Sequence, residues 1–430
     1  MSFRDELERA ADWVEGYFDR VADLPVAARV EPGDVRSRLP GSAPEHGEPF
    51  ETLLRDLDDV ILPGITHWNH PRFFAWFANT GSEPGVRAEL LIAALNVNAF
   101  TWASSPAATE LEVTVMEWLA QLLGLPRTWH GHIEDTASTA TIAALAAART
   151  RRPGGVVYAS EQANFSVEKA ARLVGLEYRK VDVDDAFRMR PDFPLEDATA
   201  VVATVGTTGT TSVDPVPALA DRCEEAGVWL HVDAAYAGSA AVCPEFRWCL
   251  DGCDRADSIV VNPHKWLFTP MDCSTLWTRR PEAFHEAFAL VPEYLAATPE
   301  AVDIKDYGPA LGRRFRALKL WTVLRWYGAE GLRALIREHV RLAQLFATLV
   351  ESEPGWEVVA PHPFSPVCFR HVSADNDELA RAATATGELF VASSRLRGEP
   401  MIRLAIGNAA TTEEDIRRSW EVLRACARKQ

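Results

Sequence analysis

No stretch of this 430-residue chain is apolar for long enough to cross a bilayer. The opening residues, Met1-Ser2-Phe3-Arg4-Asp5-Glu6, are acidic and lack the apolar core of a secretory signal, so none is expected. Positive charge is short as well. The 44 Lys and Arg residues face 61 Asp and Glu, and the formal charge of −17 argues against nucleic acid and anionic membranes as partners. Cysteine is sparse and unpatterned: the seven are scattered, and no second pair or histidine cluster joins Cys249 and Cys253 to complete a zinc site. No metal is therefore expected, and a reduced, cytoplasmic compartment fits. Internal repeats and low-complexity segments are also missing. A hydrophobic fraction of 47% remains, enough for two or three packed units.

The pattern changes twice along the chain. Residues 2–20 read as an amphipathic helix, followed by a proline-punctuated stretch from Pro25 to Pro49 and a second helix near 51–61. The run from Thr66 to Phe77 is too rich in aromatics for an ordinary loop, and reads as core or as the wall of a pocket. From about 85 to 280, helices alternate with short apolar strands at 155–159, 178–183, 200–205, 228–233, 258–261 and 274–278. That alternation predicts a mostly parallel, helix-covered sheet. A long helix from about 314 to 350 leads into strands at 357–360, 367–372, 389–393 and 401–406 and a last helix over 412–427, a small α+β domain. The expected division is 1–84, a helical dimerisation segment; 85–345, the large α/β domain; and 346–430, the small domain.

One stretch carries the most chemistry. In Asn262-Pro263-His264-Lys265-Trp266 a lysine follows the buried-strand pattern Asp257–Val261, where an ammonium is costly unless paired or neutralised. Bonding to an aldehyde cofactor is one solution. Upstream, the strand Val228–Val232 ends on Asp233. A lysine and an aspartate at neighbouring strand ends are what pyridoxal 5'-phosphate (PLP) requires, the lysine holding the aldehyde carbon and the aspartate keeping the ring nitrogen protonated. Thr136-Ala137-Ser138-Thr139 opens a helical run, where free backbone N–H groups suit a phosphate, although an ordinary helix cap has the same appearance. Thr204–Gly209 ends the next strand with small, hydroxyl-bearing residues. In an open α/β sheet all of these lie at the carboxyl ends of strands, where ligands bind.

With these residues in view, the sequence resembles the PLP-dependent group II decarboxylases of the aromatic L-amino acid type. The resemblance runs from His70-Pro71-Arg72-Phe73-Phe74 to Arg403. It rests on Trp102–Glu112 (W-x-x-S-P-A-x-T-E-L-E), His231–Gly238, the Asn262–Trp266 motif and Leu311-Gly312-Arg313-Arg314-Phe315-Arg316. It implies a type I PLP-dependent (aspartate aminotransferase-like) fold with a large, mostly parallel seven-stranded sheet domain and a small carboxyl-terminal α+β domain. It implies a homodimer with shared active sites, Lys265 as the cofactor lysine and Asp233 as partner of the ring nitrogen. Ala235 would pack on the ring, Thr136, Ala137, Ser138, Asn262 and His264 would hold the phosphate, and Thr208 would support the ring oxygen. Trp76, Phe77, Asn79, Asn98 and Phe100 fall where the family builds its substrate pocket, with Phe100 reaching across the dimer. Ser365 stands where relatives carry glycine for indolic and serine for phenolic substrates, and with Asn98 it favours tyrosine, 3,4-dihydroxyphenylalanine or phenylalanine.

Two positions depart from the family. Asn164 replaces the histidine that stacks on the cofactor ring, and an asparagine is neither acid nor base near neutral pH. An ungapped count back from Leu311 puts Ile304 where the family carries its protonating tyrosine, with Tyr307 three residues on as a substitute. Prompt protonation after loss of carbon dioxide gives an amine. Interception by dioxygen gives an aldehyde, ammonia and hydrogen peroxide. Decarboxylation to the amine is the main expectation and the oxidative outcome the alternative. An aminotransferase using Arg403 for the carboxylate, or a PLP-binding module without catalysis, fits the motifs less well.

Overall fold

The computed structural model describes residues 2–79, 81–290 and 301–430. Two compact units emerge. The larger comprises Asn79–Ala347 and Val358–Cys368, and the smaller comprises Met1–Ala78, Thr348–Glu357 and Phe369–Gln430. The amino-terminal segment thus shares a unit with the carboxyl-terminal one.

In the larger unit seven strands form one sheet: β1 (His130–Glu134), β2 (Val156–Ser160), β3 (Glu177–Val181), β4 (Ala198–Thr204), β5 (Trp229–Asp233), β6 (Ser258–Val261) and β7 (Ser274–Thr278), in the spatial order β1-β7-β6-β5-β4-β2-β3. Pairing is parallel from β3 through β6, and β7 runs antiparallel to both β6 and β1. Strands β2, β4, β5 and β6 are buried along their whole length, as expected of a sheet covered on both faces. The Ala137–Arg151 helix covers one face. Ala140, Ala143, Ala144, Ala147 and Ala148 are fully buried against Val157, Ala200, Val202 and Trp229, small side chains that bring its axis close to the sheet. Arg152 follows the helix and Pro153 cannot continue it.

Strand β1 has no counterpart in the sequence expectations. His130-Gly131-His132-Ile133-Glu134 shows neither an apolar run nor a clean alternation, and β1 is held instead by a full antiparallel ladder with β7. A buried ion pair supports it. Arg313 donates to both oxygens of Glu112, while Glu112 also accepts from the Ile133 amide (2.8 Å). Two of the motifs quoted above, T-E-L-E and L-G-R-R, therefore meet as a structural clasp rather than as reacting groups. The long helix, Arg316–Glu351, is kinked at Gly328 (φ 61°, ψ 177°), a conformation open to glycine.

A second, four-stranded sheet holds β8 (Trp356–Val358), β9 (Pro366–His371), β10 (Ala392–Leu396) and β11 (Glu399–Ala405), in the order β10-β11-β9-β8; Val358 and Pro366–Cys368 count with the larger unit and the rest with the smaller. The aromatic run belongs to the core of the smaller unit: the Phe74 amide donates to the Phe390 carbonyl (2.8 Å), the Ala405 amide donates to Phe74 (2.9 Å), and Phe73 and Ala75 are fully buried. All seven cysteines are buried free thiols. Among the described residues no helix is long and apolar enough to cross a membrane, and no cluster of His, Cys, Asp and Glu has the makings of a metal site.

Candidate active site

Alternation along the paired strands places Glu134, Ser274 and Asn262, then Asp233 and Thr204, on the face covered by the Ala137–Arg151 helix, towards the carboxyl ends of the parallel strands. Asp233 is the last residue of β5, opposite Thr204 of β4 and Val260 of β6. It is buried, and its Oδ1 accepts from the Ala235 amide (3.1 Å), which fixes the carboxylate at the strand end. Gly206 (φ 87°) follows β4. A Cβ there would lie 2.5 Å from the Ala237 side chain, so glycine is what lets the Thr204–Gly209 segment approach the Asp233 turn.

Lys265 lies one strand over. After β6, Asn262 leads into the single helical turn Pro263–Trp266, and Lys265 is half-buried within it. His264 accepts the Cys273 amide at Nδ1 (3.0 Å), which leaves the proton of a neutral ring on Nε2. Burial, aided by the Lys265 charge, pushes this imidazole down to about 3, so the ring is neutral at physiological pH. Ser274 Oγ donates to Asn262 Oδ1 (2.6 Å), which turns the amide nitrogen towards His264 Nε2, 3.3 Å away. Two buried N–H donors thus face one another where an anionic oxygen would serve both. The Ala137–Arg151 helix supplies further donors, since its first amide with a backbone acceptor is Ala140 and the preceding ones have no intrahelical partner. Thr136 precedes it, its hydroxyl 3.3 Å from that of Thr139. This donor set suits a phosphate, and with Asp233 and Lys265 it fits a phosphorylated pyridine aldehyde.

Asn164 is a helix cap. Its Oδ1 accepts from the Ser166 amide (3.0 Å) at the start of the Phe165–Leu173 helix, and its Nδ2 donates to Thr208 Oγ1 (3.2 Å). Both halves of the amide are thereby engaged. Asp214, which the sequence reading did not single out, anchors the same loop. It is buried, accepts the Thr204 and Met189 amides (both 2.7 Å), and is pushed up to about 7 by burial. A lone Asp before Pro215 gave no sign of this beyond a turn.

Ser365 is fully buried, hydrogen-bonded to the Tyr236 hydroxyl, and Tyr236 stacks on Trp266 (4.8 Å between ring centres) beside Lys265. Ala235 is buried in the same turn. Asn98 is exposed, but its Oδ1 accepts the Arg313 amide (2.8 Å). The Phe100 carbonyl accepts the Lys305 amide (3.0 Å), and Asn79 Nδ2 lies 3.4 Å from Met271 Sδ. Trp76 and Phe77 are part of the smaller unit. There Trp76 (φ 50°) stacks on Trp68, and the Arg403 guanidinium lies 4.3 Å from the Phe77 ring centre.

Ile304 and Tyr307 belong to the short helical turn Ile304–Tyr307. Ile304 is buried, and Tyr307 stacks on His130 (3.9 Å), at the amino-terminal end of β1. Burial, together with the Asp306 charge, raises the phenol's pKa. Gly308, the residue after Tyr307, lies against the Glu134 carboxylate, where a Cβ would meet its oxygen.

Residues 32–372 match the family model described as "Pyridoxal-dependent decarboxylase conserved domain". A tryptophan decarboxylase of Camptotheca acuminata is 38% identical over 98% of this chain and 94% of its own length. A phenylacetaldehyde synthase of a Rosa hybrid cultivar is 39% identical over 98% and 93%. The crystal structure of an Oryza sativa enzyme with PLP and tryptamine is similar at a TM-score of 0.95, with 37% identity over 99% of this chain and 97% of that one.

Proposed function

The chain belongs to the pyridoxal-dependent decarboxylase family, and from that premise we propose that it converts an aromatic L-amino acid to its amine and carbon dioxide. The observation that carries this reading is the placement of Asp233 and Lys265 at the ends of adjacent strands, next to the Asn262 and His264 donors. The cofactor, when bound, supplies an aldehyde for the substrate's amino group and a ring that takes up the electron pair left by carbon dioxide. Lys265 would hold the aldehyde carbon, and Asp233 would keep a proton on the ring nitrogen through charge pairing in a dry site. Neutral His264 and Asn262 would donate to the phosphate with the amides of Ala137 and Ser138. Ala235 would offer a small flat contact to the ring, and Thr208 a hydroxyl to its oxygen.

Ser365, bonded to Tyr236, narrows the space beside Trp266, which favours a single-ring, phenolic substrate over an indole. A second copy of the chain would complete the site. Leu90, Leu91 and Leu95 stand 51%, 54% and 58% exposed along the Glu83–Leu95 helix, an apolar row that favours a homodimer.

The second reading is oxidative. Asn164, with both amide groups engaged, has no proton to give, and Tyr307 is stacked on His130. In that case the amino acid, dioxygen and water yield aldehyde, carbon dioxide, ammonia and hydrogen peroxide. The identity to the aldehyde synthase is no lower than that to the decarboxylase, so overall similarity does not choose between them. Incubation with tyrosine, phenylalanine and tryptophan, with and without air, tests both. Amine equal to carbon dioxide and no peroxide supports the first reading. Stoichiometric aldehyde and peroxide, lost without air, supports the second, and no carbon dioxide from any substrate refutes both.

A further inference from the structure

The opposite end of the seven-stranded sheet holds a cavity of about 430 Å³ whose walls include Arg151, Arg152, Arg255, Arg279 and Arg280. It lies where β4 and β5 begin, where the chain enters β6 and leaves β7, and where the Ala137–Arg151 helix ends. Only two carboxylates, Glu224 and Asp257, share these walls. With Asp221, which pairs with Arg255 from just outside the wall, three carboxylates face five guanidinium groups and leave an excess of two positive charges, in a chain whose net charge is −17.

Asp257 orients part of this cluster. It is buried. Its Oδ2 accepts the Leu230 amide (3.0 Å), and its Oδ1 accepts Nε of Arg279 (3.1 Å) and Nε of Arg280 (3.3 Å). Held through Nε, Arg280 keeps both terminal nitrogens without a hydrogen-bond partner among the described residues. Arg255 is engaged by Glu224 and Asp221, and Arg152 donates to the Glu196 carbonyl. Arg151 makes no ion pair or hydrogen bond among the described residues, so two forks remain to bind an anion. The remaining wall is mostly apolar and includes Ala148, Ala220 and Trp229, with Thr199 the hydroxyl among them.

We propose that this cavity binds a small organic polyphosphate, its phosphates taken by Arg151 and Arg280 and its organic body lying along the Trp229 side. Guanidinium forks match phosphate oxygens in pairs, and a ligand with two or more negative charges would neutralise the excess. The volume falls within the ~300–1,000 Å³ range of small-molecule sites.

The test uses holoenzyme whose cofactor has been fixed by borohydride, so that the probe cannot enter the cofactor's phosphate cup. Calorimetric titration with ADP and with pyrophosphate, at constant ionic strength, should show saturable one-to-one binding with Kd of roughly 1 mM or tighter. ADP should bind more tightly than pyrophosphate, because only ADP has a body for the apolar wall. The double variant Arg151→Ala/Arg280→Ala, and separately Arg151→Glu, should weaken ADP by about tenfold or more, since each removes a charged hydrogen-bonding partner. Both side chains are exposed, and unchanged circular dichroism, together with unchanged turnover measured before the borohydride step, will confirm that the variants remain folded. Absence of saturation, equal binding in the variants, or citrate binding as tightly as ADP would each overturn the assignment.

Discussion

The two ends of the seven-stranded sheet solve the problem of charge in opposite ways. At the carboxyl end of the parallel strands, Asp233, Asn262 and His264 are buried, and His264 has shed its charge to be there. At the amino end, Arg151 and Arg280 are exposed and ionised, and Arg255 exchanges bonds with Glu224 and Asp221 in contact with water. The same four strands, β4 to β7, connect both environments. Hydrogen-bond geometry decides function at the dry end, because an unpaired charge there is expensive. At the wet end a single ion pair is worth little, and only the summed excess of charge carries information.

The comparison can be broken most forcefully at Lys265. Lys265→Ala should lower kcat by about 10³-fold or more, since the covalent partner of the cofactor is lost. Borohydride reduction of the wild type followed by peptide mapping should label Lys265. A label on another lysine would displace the assignment. Next in size is His264→Ala. Loss of one charge-assisted bond should weaken cofactor retention about tenfold to a hundredfold, read as absorbance remaining after gel filtration.

A smaller effect follows from titration at the dry end. Burial pushes both His231 and His264 down to about 3, the latter with help from Lys265. Each stays neutral when folded, whereas in the unfolded chain it takes up a proton below about pH 6.5. Stability is therefore lost as pH falls through that value, by about 1.4 kcal/mol per pH unit for each histidine. Asp214 acts with the opposite sign. Its raised pKa keeps a proton in the folded state that the unfolded chain releases above about pH 4. His130 is also pushed down to about 3, so the histidines outnumber it and the melting temperature should drop between pH 6.5 and 4.5. His231→Gln should flatten that slope by one proton, and an unchanged slope would show that His231 is charged in the fold. The smallest change is expected at the wet end, where Arg255→Ala should leave the denaturation midpoint within measurement error.

What was legible in the sequence follows the same division. Strands β2 and β4 to β6 are largely apolar runs because both of their faces are covered, and such runs stand out without any knowledge of partners. Lys265 and Asp233 were readable because each ends such a run. β1 was not, since its polar residues are stabilised by β7 and by the Glu112–Arg313 clasp, contacts distant in sequence. The bond between Ser365 and Tyr236 joins residues 129 positions apart, and no local pattern announces it. In sequence Asn164 is a gap in proton handling, while the fold also uses it as a cap and as a donor to Thr208. The association of the first 78 residues with the carboxyl-terminal segment is likewise a matter of packing that periodicity does not encode.

The buried cysteines give the molecule an internal clock. A thiol reacts as its thiolate, and burial pushes Cys223, Cys249 and Cys273 up to about 12, so modification must wait until the chain opens. Cys426 lies in the smaller unit and the other six in the larger. The progress curve of a thiol reagent therefore keeps two separate times, one thiol marking each opening of the smaller unit and six marking the larger. A ligand that ties down the larger unit would slow six of the seven and leave the last to run at its own rate.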